Sequence, residues 1–275
     1  MSLRPPVSRR LLDIAIDKFA DSHTDDPLRV RRMMGATIVA QMLPDGVVKG
    51  GGALKLRFGD RVTRYTRDLD AAYSLEPQDF IDQLEAALKM GWCGFTGRVV
   101  PRKQARIPGL PPEYVMKPFD VKLDYLGRPW QTVPLELGHN EIGAADEADM
   151  GLASDIPPVF EALGFPAPKA VRLMSLSYQI AQKLHAVSSP RNERVRDLVD
   201  LQIIFENAEI DLVKTKAICK RLFAYRKQHA WPPTITVQER WESLYADAME
   251  NLPVLSTVDE AVAWANDLVA RIDAS

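Results

Sequence analysis

The sequence predicts an α+β fold, in which a mixed sheet core with flanking helices is followed by an all-helical C-terminal domain. The first half combines strand-like alternation with helical periods, whereas nearly every segment beyond residue 158 has the spacing of a helix. An acidic, loop-rich segment at residues 138–158 separates the two parts. We therefore expect domains over residues 1–150 and 151–275.

The composition is that of a globular protein large enough for one big domain or two modest ones. The chain has 275 residues, 46% of them hydrophobic, and a formal net charge of −2. A nucleic-acid partner would therefore be met by local basic patches and not by a globally basic surface. The two cysteines, Cys93 and Cys219, suit neither a zinc site nor a disulfide framework, which indicates a reducing, cytoplasmic environment. No run approaches membrane-spanning length, so we expect no membrane partner.

The elements of the first half follow from periodicity and turn residues. The helix expected to begin at Pro27 has proline where a first turn accepts it. An apolar run then ends in three glycines that open a helix, before a strand at Arg64–Tyr73. In chain order the further expectations are helices over 8–21, 27–43 and 78–90, a basic strand over 95–107, and strands over 119–126 and 131–137.

The second half contains helical patterns with apolar stripes. Leu176, Ile180, Leu184 and Val187 form one such stripe at spacings of three and four residues. The predicted helices cover residues 159–164, 175–187, 193–207, 211–228, 237–250 and 258–272.

A glycine run and a pair of aspartates carry the chemical signal. Gly50, Gly51 and Gly52 let backbone N–H groups at a helix N-terminus approach an anion without side-chain obstruction. Asp68 and Asp70 are two residues apart on the expected strand, which would place both carboxylates on one face. Such a pair is unfavourable without a cation, and hard oxygen ligands suit Mg²⁺. The combination indicates phosphoryl or nucleotidyl transfer.

These motifs resemble the nucleotidyltransferase superfamily of DNA polymerase beta, and more closely the AbiEii/AbiGii toxin family. The residues carrying the likeness are Lys49–Leu54 and Arg64–Asp70, with Gly52 where the family often has a small hydroxyl residue and Thr66 where it often has serine. The resemblance implies a nucleotidyltransferase-like core. It also implies that Lys49, the three glycines, Arg64 and Thr66 bind the nucleotide, while Asp68 and Asp70 bind one or two Mg²⁺ ions.

A later strand supplies a third carboxylate in that superfamily. The strand at 119–126 places Asp120 and Asp124 on its polar face, which is also what an ordinary half-buried strand would show. The resemblance implies Asp124 as the third metal ligand, with Asp120 and then Glu136 as the alternatives.

A second pair of charged residues lies on the helices of the second half. Lys183 sits beside an apolar stripe, and Asp197 shares a helix face with Leu201 and Ile204, so the two could form a buried ion pair. Asp200 has the spacing to pair with Arg196. The AbiEii-like pattern instead implies catalytic roles, with Lys183 neutralising the triphosphate and Asp197 orienting that lysine or acting as a base.

The resemblance spans roughly residues 30–205 and implies a toxin of a type IV-like toxin–antitoxin system. Such an enzyme would transfer NMP from an NTP to an acceptor hydroxyl, with the 3′ end of tRNA as the leading acceptor and a separately encoded antitoxin as partner. Transfer to a small molecule or a protein side chain, and a non-catalytic nucleotide- or RNA-binding role, are the alternatives. The basic residues that could follow an RNA backbone are Arg98, Arg102, Lys103, Arg106, Arg191, Arg194, Arg196, Lys214, Lys216, Lys220, Arg221, Arg226 and Lys227.

Overall fold

The computed structural model describes residues 4–73, 76–104 and 115–275. Within them the chain forms two compact units, and the first contains a seven-stranded mixed sheet with its helices. The helices of this unit are α1 (Arg9–His23), α2 (Pro27–Gln41), α3 (Gly50–Phe58), α4 (Pro77–Met90) and α5 (Ile156–Ala162). The strands are β1 (Gly46–Lys49), β2 (Leu69–Tyr73), β3 (Phe95–Pro101), β4 (Lys117–Tyr125), β5 (Arg128–His139), β6 (Ala148–Gly151) and β7 (Val171–Met174).

The sheet order is β3-β4-β5-β2-β1-β7-β6, with β2 parallel to β5 and β7 parallel to β1. One face is apolar because alternate residues of the central strands, such as Leu69, Ala71, Leu135 and Leu137, are buried in the hydrophobic core. The residues between them, Asp70 and Glu136, are only partly buried. This alternation decides which side chains share the polar face.

The second unit is helical. Its elements are α6 (Leu176–Val187), α7 (Arg196–Asn207), α8 (Leu212–Arg226), α9 (Trp241–Met249), α10 (Val258–Ala274) and a short 3₁₀ helix at Glu141–Gly143. Ile180, Leu184, Leu198 and Leu222 are among its fully buried side chains. In the described parts of the chain, no helix is long and apolar enough to cross a membrane.

The structure confirms the predicted fold class and corrects several element limits. β2 begins at Leu69 and not at Arg64, so Asp68 precedes the strand. β7 lies between the helices predicted over 159–164 and 175–187, where no strand was predicted, because four residues are too short to show a strand period. Of the predicted basic strand over 95–107, β3 covers Phe95–Pro101, and residues 105–107 lie outside the described residues.

The two units are not consecutive in sequence. The first contains residues 1–60, 66–140 and 148–173, and the second contains 61–65, 141–147 and 174–275. Residues 151–173 fall in the first unit because β7 extends the sheet by pairing with β1. The predicted boundary at residue 150 did not anticipate this arrangement.

Candidate active site

Gly50 links β1 to α3 at a place where a side chain would be strained and would displace Asp70. Its φ is +63°, and a Cβ atom there would lie 2.2 Å from Oδ2 of Asp70. The Asp70 carboxylate therefore packs directly against the first residue of α3. No side chain caps this helix at Lys49. Its first-turn N–H groups and dipole are therefore suited to an anion.

Asp70 has a second carboxylate beside it. In the parallel pairing of β2 with β5, Asp70 is in register with Glu136, and in the antiparallel pairing with β1 it is opposite Lys49. Residues in register on neighbouring strands project from the same face of a sheet. One face thus carries Lys49, Asp70 and Glu136 side by side.

The pairing register does not bring Asp124 to Asp70. Asp124 is opposite Pro129, seven positions along β5 from Glu136, which is about 23 Å at the rise of an extended strand. Asp120 is opposite Pro134, two positions from Glu136. Alternation along β4 identified which residues lie on the polar face, but not how far each of them lies from Asp70. Glu136 is the carboxylate that lies beside Asp70.

Arg102 lies close to two acidic residues of this face. Its Nε is 3.5 Å from Asp120 Oδ1, and its Nη2 is 3.8 Å from Glu136 Oε1. These are long ion pairs on partly exposed side chains, so they contribute little stability. Arg102 therefore balances the charge of Glu136 without fixing that carboxylate tightly.

Lys49 extends over the same face. Its Nζ is 3.3 Å from the sulfur of Met116, and a Cβ atom on Gly138 would lie 2.7 Å from that Nζ. Gly138 therefore leaves the space in which the lysine lies. The ammonium group therefore lies over the sheet, next to Gly138 of β5.

Asp68 and Thr66 line a cavity of about 310 Å³ together with Gly52. Asp68 is exposed and Thr66 partly buried, and both precede β2. Further walls come from α2, α3 and β5. Of the predicted metal and nucleotide ligands, the structure thus places Asp70 against Gly50 and assigns Asp68 and Thr66 to this cavity.

Lys183 lies at the centre of a buried ion network in the helical unit. Its Nζ donates to Asp197 Oδ1 at 2.9 Å and to Asp200 Oδ2 at 2.6 Å. The three side chains are at most 6% exposed. Arg194 donates through Nε to the other oxygen of Asp197 at 2.8 Å. The ion pair between Lys183 and Asp197 is confirmed.

Arg64 belongs to this network. Its Nε and Nη2 donate to the two oxygens of Asp200 at 2.8 and 3.0 Å, which is a bidentate pair. Burial alone would raise the pKa of Asp200, but Lys183 and Arg64 outweigh it and hold this pKa well below its usual range. The spacing of Asp200 allowed a pair with Arg196, and Arg64 was predicted to bind a nucleotide. The i, i+4 spacing could not reveal a partner 136 residues away.

Several basic residues predicted to contact RNA are already bound to the protein. Arg226 forms a bidentate pair with Glu141, and Lys214 pairs with Glu147. Arg221 donates to the carbonyl of Ile142. Arg98 and Lys103 are exposed, whereas Arg106 lies outside the described residues.

In the described ranges, no group of three or more His, Cys, Asp or Glu side chains is gathered closely enough to hold a metal ion. Asp70 and Glu136 still offer two neighbouring carboxylates. Two carboxylates suffice for Mg²⁺ when water and substrate phosphates complete its shell. This donor set therefore fits a metal that is bound together with a nucleotide.

Solved structures of other proteins share the fold of this chain. MenT4, a nucleotidyltransferase toxin from Mycobacterium tuberculosis H37Rv, aligns over 97% of this chain and 98% of its own, with a TM-score of 0.51 and 17% identity. JHP933 from Helicobacter pylori aligns over 89% of this chain and 90% of its own, with a TM-score of 0.46 and 17% identity. The antigenic nucleotidyltransferase-like protein from Paracoccidioides brasiliensis aligns over 85% of this chain and 92% of its own, with a TM-score of 0.39 and 16% identity. The fold assignment rests on MenT4.

The family follows from the sequence match. The family described as nucleotidyl transferase AbiEii toxin, Type IV TA system, matches residues 36–267. This chain belongs to that family, as its glycine and aspartate motifs predicted. A comparison with curated proteins found no match.

Proposed function

We propose that this protein is a metal-dependent nucleotidyltransferase toxin that transfers NMP from an NTP to an acceptor hydroxyl, with the 3′ end of tRNA as the acceptor. The observation that carries the proposal is the position of Asp70, which is in register with Glu136 and in contact with Gly50 at the start of α3. Two carboxylates beside an uncapped helix N-terminus suit a metal-bound triphosphate.

Each group of this face has a distinct task in the proposal. Asp70 and Glu136 would hold one or two Mg²⁺ ions, which when bound would align the acceptor oxygen with the α-phosphorus and stabilise the departing pyrophosphate. The N–H groups of Gly50–Gly52 bind phosphate oxygens, and the Lys49 ammonium supplies a neighbouring positive charge.

The Lys183 network supports a role in charge balance. Its three cations and two carboxylates give a net charge of +1. Two of the three N–H donors of Lys183 bond to carboxylates. Of the two roles expected for Asp197, these contacts favour orienting Lys183, because both Asp197 oxygens accept hydrogen bonds from cations. We assign Arg64 to positioning Asp200 and not to phosphate binding.

Membership of a toxin family supports a macromolecular acceptor and an antitoxin partner. Arg98 and Lys122 are directly opposite each other on β3 and β4, on the same sheet face as Glu136. Like charges in that position are unfavourable without a counter-anion, and an RNA backbone supplies one. Transfer to tRNA would place the activity in the cytoplasm.

The assay combines the protein with each labelled NTP, Mg²⁺ and total tRNA. Label on tRNA supports the proposal. Label on protein or on a small molecule would identify another acceptor. Nucleotide binding without transfer would identify a non-catalytic relative.

Two matched carboxylate variants test the composition of the site. We expect Glu136→Gln to lower transfer by at least a hundredfold, because an amide cannot replace an anionic ligand of Mg²⁺. Asp124→Asn on the neighbouring strand should leave transfer nearly unchanged. Asp70→Ala should abolish transfer with little change in melting temperature. Loss of activity in Asp124→Asn and not in Glu136→Gln would refute the arrangement.

A further inference from the structure

A cavity of the helical unit combines two aromatic rings with charged side chains. Its volume is about 430 Å³, which is within the range of ligand sites, and Phe205 of α7 and Trp264 of α10 belong to its wall. The two rings meet edge to face, with centroids 6.0 Å apart and planes at 77°. The corner between them offers aromatic surface to a flat or cationic group.

Another part of the wall is held in place by hydrogen bonds. Leu255 donates its backbone N–H to Oε1 of Gln202 at 2.8 Å, and its carbonyl accepts from the hydroxyl of Tyr245 at 2.8 Å. Nε2 of Gln202 donates to that same hydroxyl at 3.1 Å. Leu255 and Gln202 both line the cavity, so its shape is fixed by the fold and does not depend on a ligand.

Carboxylates surround the Trp264 ring. Glu206 of α7 lines the cavity. On α10, Glu260 lies four residues before Trp264 and Asp267 three residues after it, so both share the helix face of the ring. All three acidic residues are exposed. Their combined field favours a cation and opposes a ligand that carries phosphates.

Arg271 is the one basic residue in the segment 241–275, which has seven acidic residues. It lines the cavity two helical turns after Trp264, about 10 Å along α10 at the rise of an α-helix. Within the described part of the chain, the side chains of Arg271 and Glu206 form no ion pair or hydrogen bond. The cavity thus presents a carboxylate that can pair with a cation and a guanidinium that can donate to carbonyl oxygens.

We propose that this cavity docks a lysine or arginine side chain from a basic segment of a partner polypeptide. The cationic group lies against the Trp264 ring and pairs with Glu206, while Arg271 donates to backbone carbonyls of the same segment. An RNA would bring phosphates to a surface with an excess of carboxylates, so the charges favour a polypeptide. The inference does not depend on the proposed transfer reaction, which uses other residues.

Calorimetric titration of the full chain with acetyl-tetraarginine amide tests the site. We expect Trp264→Leu to weaken binding roughly threefold to tenfold, because leucine keeps an apolar surface but offers no π face to the cation. Glu206→Gln should weaken it roughly twofold to fivefold, as expected for an exposed ion pair. Asp21→Asn removes the same charge from an exposed position on α1 and should leave binding unchanged.

Two further probes identify the chemistry that the cavity accepts. Spermine has cationic groups but no carbonyl for Arg271, so it should bind more weakly than the peptide. The RNA tetranucleotide UUUU should bind wild type and Trp264→Leu equally, because the site does not stack bases. A loss of RNA affinity in Trp264→Leu without a loss of peptide affinity would show a base-stacking site and overturn the proposal.

Stability and the matched variants separate binding from folding. Trp264 is partly buried, so the melting temperature of Trp264→Leu is measured alongside its affinity. Glu206→Gln changes an exposed side chain and carries the test if the tryptophan variant unfolds. Peptide affinity unchanged in Glu206→Gln, an equal loss in Asp21→Asn, or spermine binding as tightly as the peptide would overturn the proposal.

Discussion

Two glycines with nearly the same backbone conformation differ in what surrounds them. Gly50 has a φ of +63° and Gly127 a φ of +72°. A Cβ atom on Gly50 would collide with the Asp70 carboxylate, whereas one on Gly127 would meet nothing within 4 Å. The requirement for glycine is therefore conformational at residue 127. At residue 50 it is both conformational and steric.

The pair gives a controlled prediction. Gly127→Ala should lower the free energy of unfolding by about 1 kcal/mol, the cost of a left-handed alanine, and leave transfer intact. Gly50→Ala should cost more and abolish transfer, because the methyl group displaces the Asp70 carboxylate. Urea unfolding and the tRNA-labelling assay measure the two effects. Similar behaviour of both variants would show that contact with Asp70 is unimportant.

At the scale of elements, α6 and α7 are joined by charges and not only by apolar packing. Buried ion pairs are poor sources of net stability, but removing one partner leaves a desolvated charge behind. Asp200 is the critical member because it accepts hydrogen bonds from both Lys183 and Arg64. Through Arg64, these contacts join residues 61–65, the first segment of the second unit along the chain, to α6 and α7.

We expect Asp200→Asn to lower the free energy of unfolding by about 3–5 kcal/mol at pH 7. The native pKa of Asp200 is depressed, so its contribution is present above the unfolded value near 3.9 and is lost as pH falls below it. The difference from wild type should therefore be constant between pH 8 and 5 and decrease in stronger acid. Urea titrations measure it.

Glu193→Gln is the control for this variant. Glu193 pairs with Arg240 at 2.8 Å, but both side chains are about two-thirds exposed. We expect a change below roughly 1 kcal/mol, as for other surface pairs. An equal loss in both variants would mean that burial of the network has no energetic role.

A second buried cluster lies between α6 and α8. His185 is 2% exposed, its Nδ1 is 3.1 Å from Nη1 of Arg226, and its ring is 4.5 Å from that of His229. Burial, then Arg226 and His229, lower the pKa of His185 to about 3. The imidazole therefore stays neutral in the folded protein at pH values where the unfolded chain is protonated.

This cluster predicts acid sensitivity. Below the unfolded pKa near 6.5 the unfolded state binds one more proton, so stability should fall by about 2 kcal/mol between pH 7 and 5. His185→Phe should reduce that slope, whereas His23→Gln at the exposed end of α1 should not. Urea unfolding at several pH values measures it. A slope unchanged in His185→Phe would contradict the assignment.

At the scale of the whole molecule, the helical unit is completed by earlier segments of the chain. Arg64 supplies the bidentate partner of Asp200, and Glu141 supplies that of Arg226. The segments 61–65 and 141–147 therefore hold charges that residues 174–275 need.

A fragment of residues 174–275 should accordingly be unstable. Without Arg64 and Glu141 its buried charges lose partners, and we expect no cooperative thermal transition by circular dichroism above 25 °C. The full chain, with its helical signal melting cooperatively, is the control. A fragment that melts like the full chain would show that the two earlier segments contribute little.

The spacing of residues close together in the sequence predicted much of the fold and part of the candidate site. Glycine spacing and an apolar run predicted the junction of β1 and α3, and the positions of Asp68 and Asp70 led to the correct family. Helical periods located the helices to within a few residues. β7 was missed because a strand of four residues carries too little periodicity.

The sequence by itself determined the fold class, the family and the polar face on which the acidic residues lie, because these depend on spacing between near neighbours. Only the tertiary structure decided that Glu136, and not Asp124, stands beside Asp70, and that Arg64 holds Asp200. Alternation defines the face of a strand but not its register. Register and distant ion pairs depend on how the whole sheet and the helices pack, and no local pattern encodes that packing.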